Sequence, residues 1–213
     1  MTNAVEEVRS DKIVLRFDTG RCVHSRNCVL ERPDIIVPGA DTDWIRPQAG
    51  TPDEVAALAK SCPSGAITFE RLDGGKQEEA PLVNSLRVLE NGPLAVRADM
   101  VINGQHVGYR AALCRCGASK TKPYCDASHE EAGFVASGER ETMPSEPLAT
   151  RGGPLEITPH QNGPYQVMGA LEICTGTAQQ ITRTAEAWLC RCGASADKPF
   201  CDGSHERIGF TAD

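Results

Sequence analysis

The chain has 213 residues, enough for two or three small domains, with 22 basic and 29 acidic side chains. Its formal net charge of −7 would be repelled by phosphate backbones, so nucleic acid is not an expected partner. It contains no run of about 18 apolar residues, so no membrane-spanning helix is expected either.

The ten cysteines are the most unusual feature of the composition. The opening residues 1–12 are acidic and lack the apolar core of a secretory signal, so we expect a cytoplasmic protein. Because the cytoplasm is reducing, so many cysteines are better explained as metal ligands than as disulfides. A secreted disulfide scaffold is the alternative. One of the ten cysteines, Cys174, fits none of the motifs below and is expected to be an ordinary buried residue.

The first segment, residues 11–70, predicts a strand, a helix and a second strand. Apolar side chains alternate over residues 13–17, as in a half-buried strand. Residues 51–54 read Thr-Pro-Asp-Glu, which combines a helix cap, a proline at the first helical position and the glutamate of a capping box. Residues 66–69 predict a closing strand. This order is that of a small α+β ferredoxin-like domain.

Three cysteines of this segment are spaced in a way that is close to a ferredoxin motif. A bacterial ferredoxin has C-x2-C-x2-C and a distant C-P, whereas here Ser25 stands between Cys22 and Cys28 where the middle cysteine belongs. The run Cys-Pro-Ser-Gly-Ala at 62–66 follows the predicted helix. Residues 11–70 therefore resemble the divergent mono-cluster ferredoxin domain, like the small ferredoxins that serve bacterial cytochromes P450.

The resemblance implies an iron–sulfur cluster held by Cys22, Cys28 and Cys62. Three thiolates suit a [3Fe–4S] cluster, which we favour over [4Fe–4S]. A fourth iron would need another ligand, for which His24, Ser25 and water are the candidates. Three buried structural cysteines without metal are the alternative.

Two copies of one unit follow, at residues 82–138 and 149–213. A polar linker with a Gly-Gly pair and a proline, residues 71–81, precedes the first copy. A second polar linker, near residues 136–153, joins the two copies. We therefore expect three domains, of which the last two are duplicates.

The duplication is clearest in residues 114–134 and 190–210, which are identical at 15 of 21 positions. Upstream, each copy has short apolar stretches on both sides of an Asn-Gly pair, at 91–92 and at 162–163. Asn-Gly between such stretches is a strong signal for a β-hairpin. Neither copy has a long helical pattern, so each is expected to be a β-rich unit carrying a metal loop.

Each copy carries the spacing C-x-C-x8-C-x3-H. The candidate ligands are Cys114, Cys116, Cys125 and His129 in the first copy and Cys190, Cys192, Cys201 and His205 in the second. Side chains two apart on a strand point the same way, so the C-x-C pair aims two thiolates in one direction. We expect Asp126 to cap a helix that bears His129, Ser119 to reach an inorganic sulfide, and Gly117 to let the backbone approach the metal.

Residues 201–205 read Cys-Asp-Gly-Ser-His, and both copies resemble the CDGSH iron–sulfur (mitoNEET-like) family. The second copy fits the family pattern throughout, and the first departs once, with Ala127 in place of glycine. The resemblance implies one [2Fe–2S] cluster in each copy, held by the four candidate ligands of that copy. A structural zinc site is the alternative, because three cysteines and one histidine also suit zinc.

The predicted fold class is α+β, with a small ferredoxin-like N-terminal domain followed by two β-rich CDGSH units. Members of the CDGSH family often form a two-fold dimer of a β-rich unit, so the two copies look like that dimer made intramolecular. We therefore expect a monomer whose CDGSH units form a pseudo-dimer.

Three one-electron centres in one small chain predict an electron-transfer relay, with redox proteins or cluster-accepting apo-proteins as partners. No nucleotide loop or nucleophile–base pair is visible in the sequence, so we do not expect an enzyme. Replacing one thiolate by neutral imidazole should raise the reduction potential above that of a four-cysteine cluster. The alternatives are a protein for cluster storage, cluster transfer or redox sensing, and a zinc-stapled binding module.

Overall fold

The structure is a computed structural model that describes residues 5–212. The first four residues of the acidic opening segment and the last residue of the second copy lie outside the described residues. The chain divides into two compact units, Met1–Glu79 and Ala80–Asp213. The boundary falls inside the predicted linker, and the two duplicated copies form one unit together.

The first unit is built on a three-stranded antiparallel sheet in the order β1-β2-β3. Its strands and helices are β1 (Val5–Arg9), β2 (Ile13–Asp18), α1 (Asn27–Glu31), α2 (Pro52–Ser61) and β3 (Ile67–Arg71). The sequence predicts β2, α2 and β3 but neither β1 nor α1. A single apolar core contains residues of α2, β2 and β3 and also the side chain of Cys62.

The predicted start of α2 is confirmed. The Thr51 amide donates to the Glu54 carboxylate at 2.8 Å, and the Glu54 amide donates back to the Thr51 hydroxyl at 3.3 Å. This reciprocal pair satisfies two amides that the first turn leaves free. The helix then buries Val55 and Leu58 and ends at Ser61, which places Cys62 directly after its last turn.

The second unit contains six strands and two single-turn helices. They are β4 (Ser85–Val88), β5 (Leu94–Ile102), β6 (Gln105–Leu113), α3 (Ser128–Glu131), β7 (Pro154–Pro159), β8 (Tyr165–Thr175), β9 (Gln180–Leu189) and α4 (Ser204–Arg207). The hairpins β4–β5 and β7–β8 turn at the predicted Asn-Gly pairs, where Asn91 and Asn162 have positive φ angles of 49° and 53°. The prediction of two β-rich units is confirmed.

The two copies complete each other's sheets. β4 pairs in parallel with β8 of the other copy, and β7 pairs in parallel with β5. The register is reciprocal: Leu86 lies opposite Ile173, and their counterparts in the other copy, Ile157 and Ile102, lie opposite each other. Equivalent parallel contacts between the two copies therefore occur twice.

One apolar core is shared by both copies. It contains residues from all six strands of the unit, including Leu86, Leu113, Ile157 and Leu189. Leu113 and Leu189 are the last residues of β6 and β9, so the core fixes the points at which both cysteine loops begin. Between residues 5 and 212, no helix combines the length and the hydropathy needed to cross a bilayer.

Candidate metal centres

In each copy, the four candidate ligands lie in one loop that follows the last strand. The loop begins at Cys114 after β6 and at Cys190 after β9. Backbone hydrogen bonds fold both loops in the same way: the Cys114 amide donates to the Pro123 carbonyl at 2.9 Å, and the Cys190 amide donates to the Pro199 carbonyl at 2.8 Å. These bonds bring the second half of each loop back to the strand end.

The candidate ligands of each loop meet in pairs. The Sγ atoms of the two cysteines in the C-x-C motif are 3.7 Å apart in the first copy and 3.8 Å apart in the second. The last cysteine lies beside the histidine, with a distance from Sγ to Nδ1 of 3.4 Å for Cys125–His129 and 3.3 Å for Cys201–His205. The structure therefore brings together each predicted pair.

Each pair of side chains is close enough to bind one metal atom. Two thiolates bound at about 2.3 Å to one tetrahedral metal lie about 3.8 Å apart, which is the spacing of the C-x-C sulfurs. A two-iron cluster takes two protein ligands on each iron, so the two pairs of a loop fit such a cluster, whereas a single zinc would take all four side chains.

The three cysteines of the first unit line a cavity of about 250 Å³. Cys22, Cys28 and Cys62 share it with the two candidates for a fourth ligand, His24 and Ser25, and its other walls include Phe17, Ile36 and Trp44. Burial raises the pKa of both the Cys22 and the Cys28 thiols. Three thiols around one mostly apolar cavity fit the ligand set of an inorganic cluster.

Comparison with known families matches both kinds of site. A family described as iron-binding zinc finger, CDGSH type, matches residues 91–130 and 162–206. A second family, described as divergent 4Fe-4S mono-cluster, matches residues 8–71. The chain is a tandem CDGSH protein with an N-terminal mono-cluster domain. These segments contain every candidate ligand, and both families bind iron. No curated protein matches the chain.

Two expectations about the loops of this tandem CDGSH protein need correction. The Ser119 hydroxyl donates to the Tyr124 carbonyl at 2.6 Å, so it is used in closing the loop and is not available to a sulfide. Asp126 does not cap α3, which begins at Ser128 after Ala127; its carboxylate accepts from the amides of Ser128 and Lys120. Because α3 is a single turn, Cys125 precedes the helix and reaches His129 through this turn.

The thiols of the loops are held in buried surroundings that oppose ionisation. Burial raises the pKa of Cys125 to about 11 and also raises the pKa of Cys201. In the C-x-C pair of the first copy, the hydrogen bond from Cys116 lowers the pKa of Cys114 to about 6, while the pKa of Cys116 is raised. Metal binding must therefore displace protons from several of these thiols.

Sequence reasoning missed the buried arginine inside each C-x-C motif. Arg115 and Arg191 are each 1% exposed, the largest side chains among those that are fully buried. Each donates from its guanidinium to backbone carbonyls: Arg115 Nε to Gly92 O at 3.0 Å, and Arg191 Nε to Gly163 O at 3.0 Å. The sequence signal for this arginine is the identity of Cys-Arg-Cys in both copies.

The two metal loops pack directly against each other. Gly117 has φ = +82°, and a Cβ atom placed there would lie 2.7 Å from the Cys192 carbonyl oxygen. Gly193 also has φ = +82°, and its Cβ would lie 2.6 Å from the Cys116 carbonyl oxygen. The predicted close approach at Gly117 is thus an approach to the other loop. We call this contact of residues 116–117 with 192–193 the glycine seam.

The two loops are also braced by different residues. In the first, the buried Tyr165 hydroxyl donates to the carbonyls of Cys114 and Pro123, both at 3.0 Å. In the second, Arg140 from the connection between the copies donates to the carbonyls of Asp197 and Lys198 at 3.0 and 3.1 Å. Despite their sequence identity, the loops therefore have unequal supports.

Replacing Arg140 by alanine should loosen the second loop and leave the first unchanged. The substitution removes the two carbonyl bonds, an ion pair with Asp197 at 2.8 Å and the contact of the guanidinium with the Phe200 ring at 5.1 Å. Because Arg140 is partly exposed, we expect an effect of about 1 kcal/mol, or about fivefold faster metal loss. Bleaching of visible absorption after addition of a chelator measures the rate.

To show which loop loses its metal faster, the rate is measured in proteins that carry only one CDGSH centre. The background with Cys125→Ser reports on the second loop, and that with Cys201→Ser reports on the first. Arg87→Ala, at an exposed arginine of β4, is the matched control. Equal acceleration in both backgrounds would contradict a role of Arg140 that is specific to the second loop.

Proposed function

We propose that this iron–sulfur protein transfers electrons, with a [2Fe–2S] cluster in each CDGSH loop and a third cluster in the N-terminal domain. The observation that carries the proposal is the pairing of ligands. In each loop, two sulfurs lie 3.7–3.8 Å apart, and a third sulfur lies 3.3–3.4 Å from a histidine nitrogen. When bound, such clusters accept and release one electron at a time.

The residues of each loop have distinct tasks in this proposal. Cys114 and Cys116 would hold one iron of the first cluster, and Cys125 and His129 would hold the other. The second copy repeats the arrangement with Cys190, Cys192, Cys201 and His205. Because neutral imidazole replaces one thiolate, each site carries one negative charge less than a four-cysteine site, which favours acceptance of an electron. Four of the six cysteines in the two loops are buried, and Cys116 and Cys201 are partly exposed.

For the N-terminal domain we propose a [3Fe–4S] cluster on Cys22, Cys28 and Cys62. Three thiolates in one apolar cavity support it. A [4Fe–4S] cluster would require a fourth ligand, which could be His24 or Ser25, both of which line the same cavity, or water. For the compartment we propose the cytoplasm, where reducing conditions suit cysteines that bind metal rather than form disulfides.

Iron and acid-labile sulfide counts on protein purified without oxygen test the proposal. We expect about seven irons per chain with three cysteine ligands in the N-terminal domain, or about eight with a fourth ligand there. Zinc without sulfide would overturn it in favour of a binding module. Electron paramagnetic resonance of the reduced protein distinguishes the two-iron centres from the N-terminal centre.

Electron transfer itself is tested with the loaded protein and a ferredoxin reductase. Reduction and reoxidation should leave the iron content unchanged over many cycles. Transfer of iron and sulfide to an apo-ferredoxin, without reduction by the reductase, would contradict the proposal and favour cluster delivery.

A further inference from the structure

We propose that the outer face of strands β7–β9, beside the second CDGSH loop, is the docking surface for a basic redox protein that exchanges electrons with the second cluster. The inference rests on the proposed function, because it requires a redox-active cluster in that loop. We call this surface the tryptophan face and define it by Glu156, Met168, Glu186 and Trp188.

The tryptophan face carries two large apolar side chains in solvent. Trp188 is 41% exposed and Met168 is 43% exposed. Both lie on the outer side of the sheet, because their strand neighbours Leu189 and Val167 are buried in the core. They are diagonal neighbours across the β8–β9 pairing, in which Met168 lies opposite Glu186. Tryptophan and methionine are side chains that protein–protein contacts favour over the rest of the surface.

Trp188 is held in place by hydrogen bonds although it faces solvent. Its Nε1 donates to Glu186 Oε1 at 3.2 Å, and Gln166 Nε2 donates to the same oxygen at 3.1 Å. Because the Gln166 nitrogen is a donor, its Oε1 accepts from His160 Nε2 at 3.2 Å. The centres of the His160 and Trp188 rings are 5.0 Å apart. A tryptophan fixed in this way loses little conformational entropy when a partner covers it.

The charge of the tryptophan face is negative. Glu156 and Glu186 lie in register on either side of Met168, and both side chains are exposed. Two carboxylates around an apolar centre are complementary to a protein that presents lysine or arginine side chains around its own apolar patch. The net charge of −7 on the whole chain acts in the same direction, because it attracts a basic partner from a distance.

The first copy has a different surface at the equivalent positions. Ala112 stands in place of Trp188 and is only 3% exposed. The positions of the methionine and of the glutamate opposite it are occupied by Arg97 and Arg110, which also lie opposite each other. A basic partner therefore meets a complementary surface on the second copy and like charges on the first.

The tryptophan face is joined directly to the second metal loop. The Trp188 carbonyl accepts from the Cys201 amide at 2.9 Å, and Cys190 follows Trp188 by two residues. A partner on this face is therefore one hydrogen bond from a candidate ligand of the second cluster. One electron would pass from the reduced cluster to the partner, which oxidises the cluster and reduces the partner without making or breaking a bond.

The transfer of electrons to ferric cytochrome c, a basic protein that accepts one electron at its haem, tests the proposal. The full, loaded chain is reduced with dithionite, freed of the excess and mixed with cytochrome c in a stopped-flow instrument without oxygen. The haem absorption then gives the second-order rate constant. The matched control is Glu90→Gln, which removes an exposed carboxylate from the first copy and should leave the rate unchanged.

We expect the double variant Glu156→Gln and Glu186→Gln to slow the transfer about three- to tenfold at low salt and to weaken its salt dependence. Trp188→Ala should slow the transfer by about fivefold or more, as expected for an aromatic side chain at the centre of a contact. Wild-type rates in the double variant, or in the tryptophan variant, would overturn the proposal.

Chains with one CDGSH cluster assign the surface to the second loop. The slower transfer should persist in the Cys125→Ser background, which leaves the second CDGSH cluster, and should disappear in the Cys201→Ser background, which leaves the first. The N-terminal cluster is the same in both backgrounds, so it does not affect the comparison. An equal effect in both backgrounds would overturn the proposal.

Two competing explanations give other results. If Trp188 only shielded the second loop from water, Trp188→Ala would speed chelator bleaching, whereas the glutamine double variant would transfer electrons at the wild-type rate. If a second copy of this chain covered the face, sedimentation would show a dimer in the wild type that Trp188→Ala removes. Either result would overturn the proposal.

The failure of the proposed function is distinguished by counting iron and sulfide on the wild type first. Zinc without sulfide would reject the clusters and electron transfer with them. Iron and sulfide in the expected amounts, with equal transfer rates in all the variants, would reject only the tryptophan face as the docking surface.

Discussion

Replacing Cys125 by serine should remove the first CDGSH cluster and lower the iron content from about seven to about five per chain. Cys125 is 2% exposed, and its sulfur lies 3.4 Å from His129 Nδ1, so the substitution breaks one ligand pair. A serine hydroxyl is a poor substitute for a thiolate on iron. Iron and sulfide assays on protein purified without oxygen measure the loss.

Cys174→Ser is the matched control for this experiment. Cys174 lies near the end of β8, is buried and lies opposite Arg87 of β4, away from the paired ligands of both loops. Its replacement should leave all the iron in place, as expected for a cysteine outside the motifs. Full iron content in Cys125→Ser, or loss of two irons in Cys174→Ser, would refute the ligand assignment.

Replacing Gly117 by alanine should destabilise the second unit by about 2–5 kcal/mol and weaken both CDGSH clusters. About 1–2 kcal/mol comes from a side chain in the left-handed region, and about 1–3 kcal/mol comes from overpacking. The new methyl group would lie 2.7 Å from the backbone oxygen of Cys192, which belongs to the other loop. Chemical unfolding followed by circular dichroism measures the stability, and chelator bleaching measures cluster retention.

Gly133→Ala separates the two contributions. Gly133 has φ = +60°, but a Cβ atom there meets nothing within 4 Å. Alanine at this position should therefore cost only the backbone strain of about 1–2 kcal/mol. If Gly117→Ala and Gly133→Ala were equally destabilising, the glycine seam would not be the tight contact described above.

The elements that sequence patterns predict well are those with local chemical signals. The capping box at Thr51 and Glu54 and the Asn-Gly turns at 91–92 and 162–163 are found in the structure where they are expected. In contrast, β1 is a mostly exposed strand, Val-Glu-Glu-Val-Arg, without a buried face. It pairs at the edge of its sheet, so its formation depends on β2 more than on its own sequence.

Burial in β2 also departs from the alternation that predicts it. Ile13 and Leu15 are buried as expected, but Val14 between them is 1% exposed. Val14 lies in the middle strand, opposite Arg9 on one side and Glu70 on the other. Long side chains on both flanking strands can cover it, and a one-strand pattern contains no information about such neighbours.

For the metal loops, the sequence predicts which side chains come together but not what supports them. Each cysteine and histidine pair follows from the repeated spacing. The bond from Ser119 to the Tyr124 carbonyl, the brace from Arg140 and the contact of Gly117 with Cys192 depend on the folded path of the chain. The buried Arg115 was missed as well, although the identity of Cys-Arg-Cys in both copies is a signal for it in the sequence.

The strand pairing between the copies makes the folding unit larger than the duplicated unit. β4 and β7 each pair with a strand of their own copy on one side and with a strand of the other copy on the other side, so neither half has a complete sheet alone. A mutation in one half therefore also affects the folding of the other half. The two halves can differ in sequence, as at Ala127 and Tyr165, only where the other half can still pack against the changed side chain.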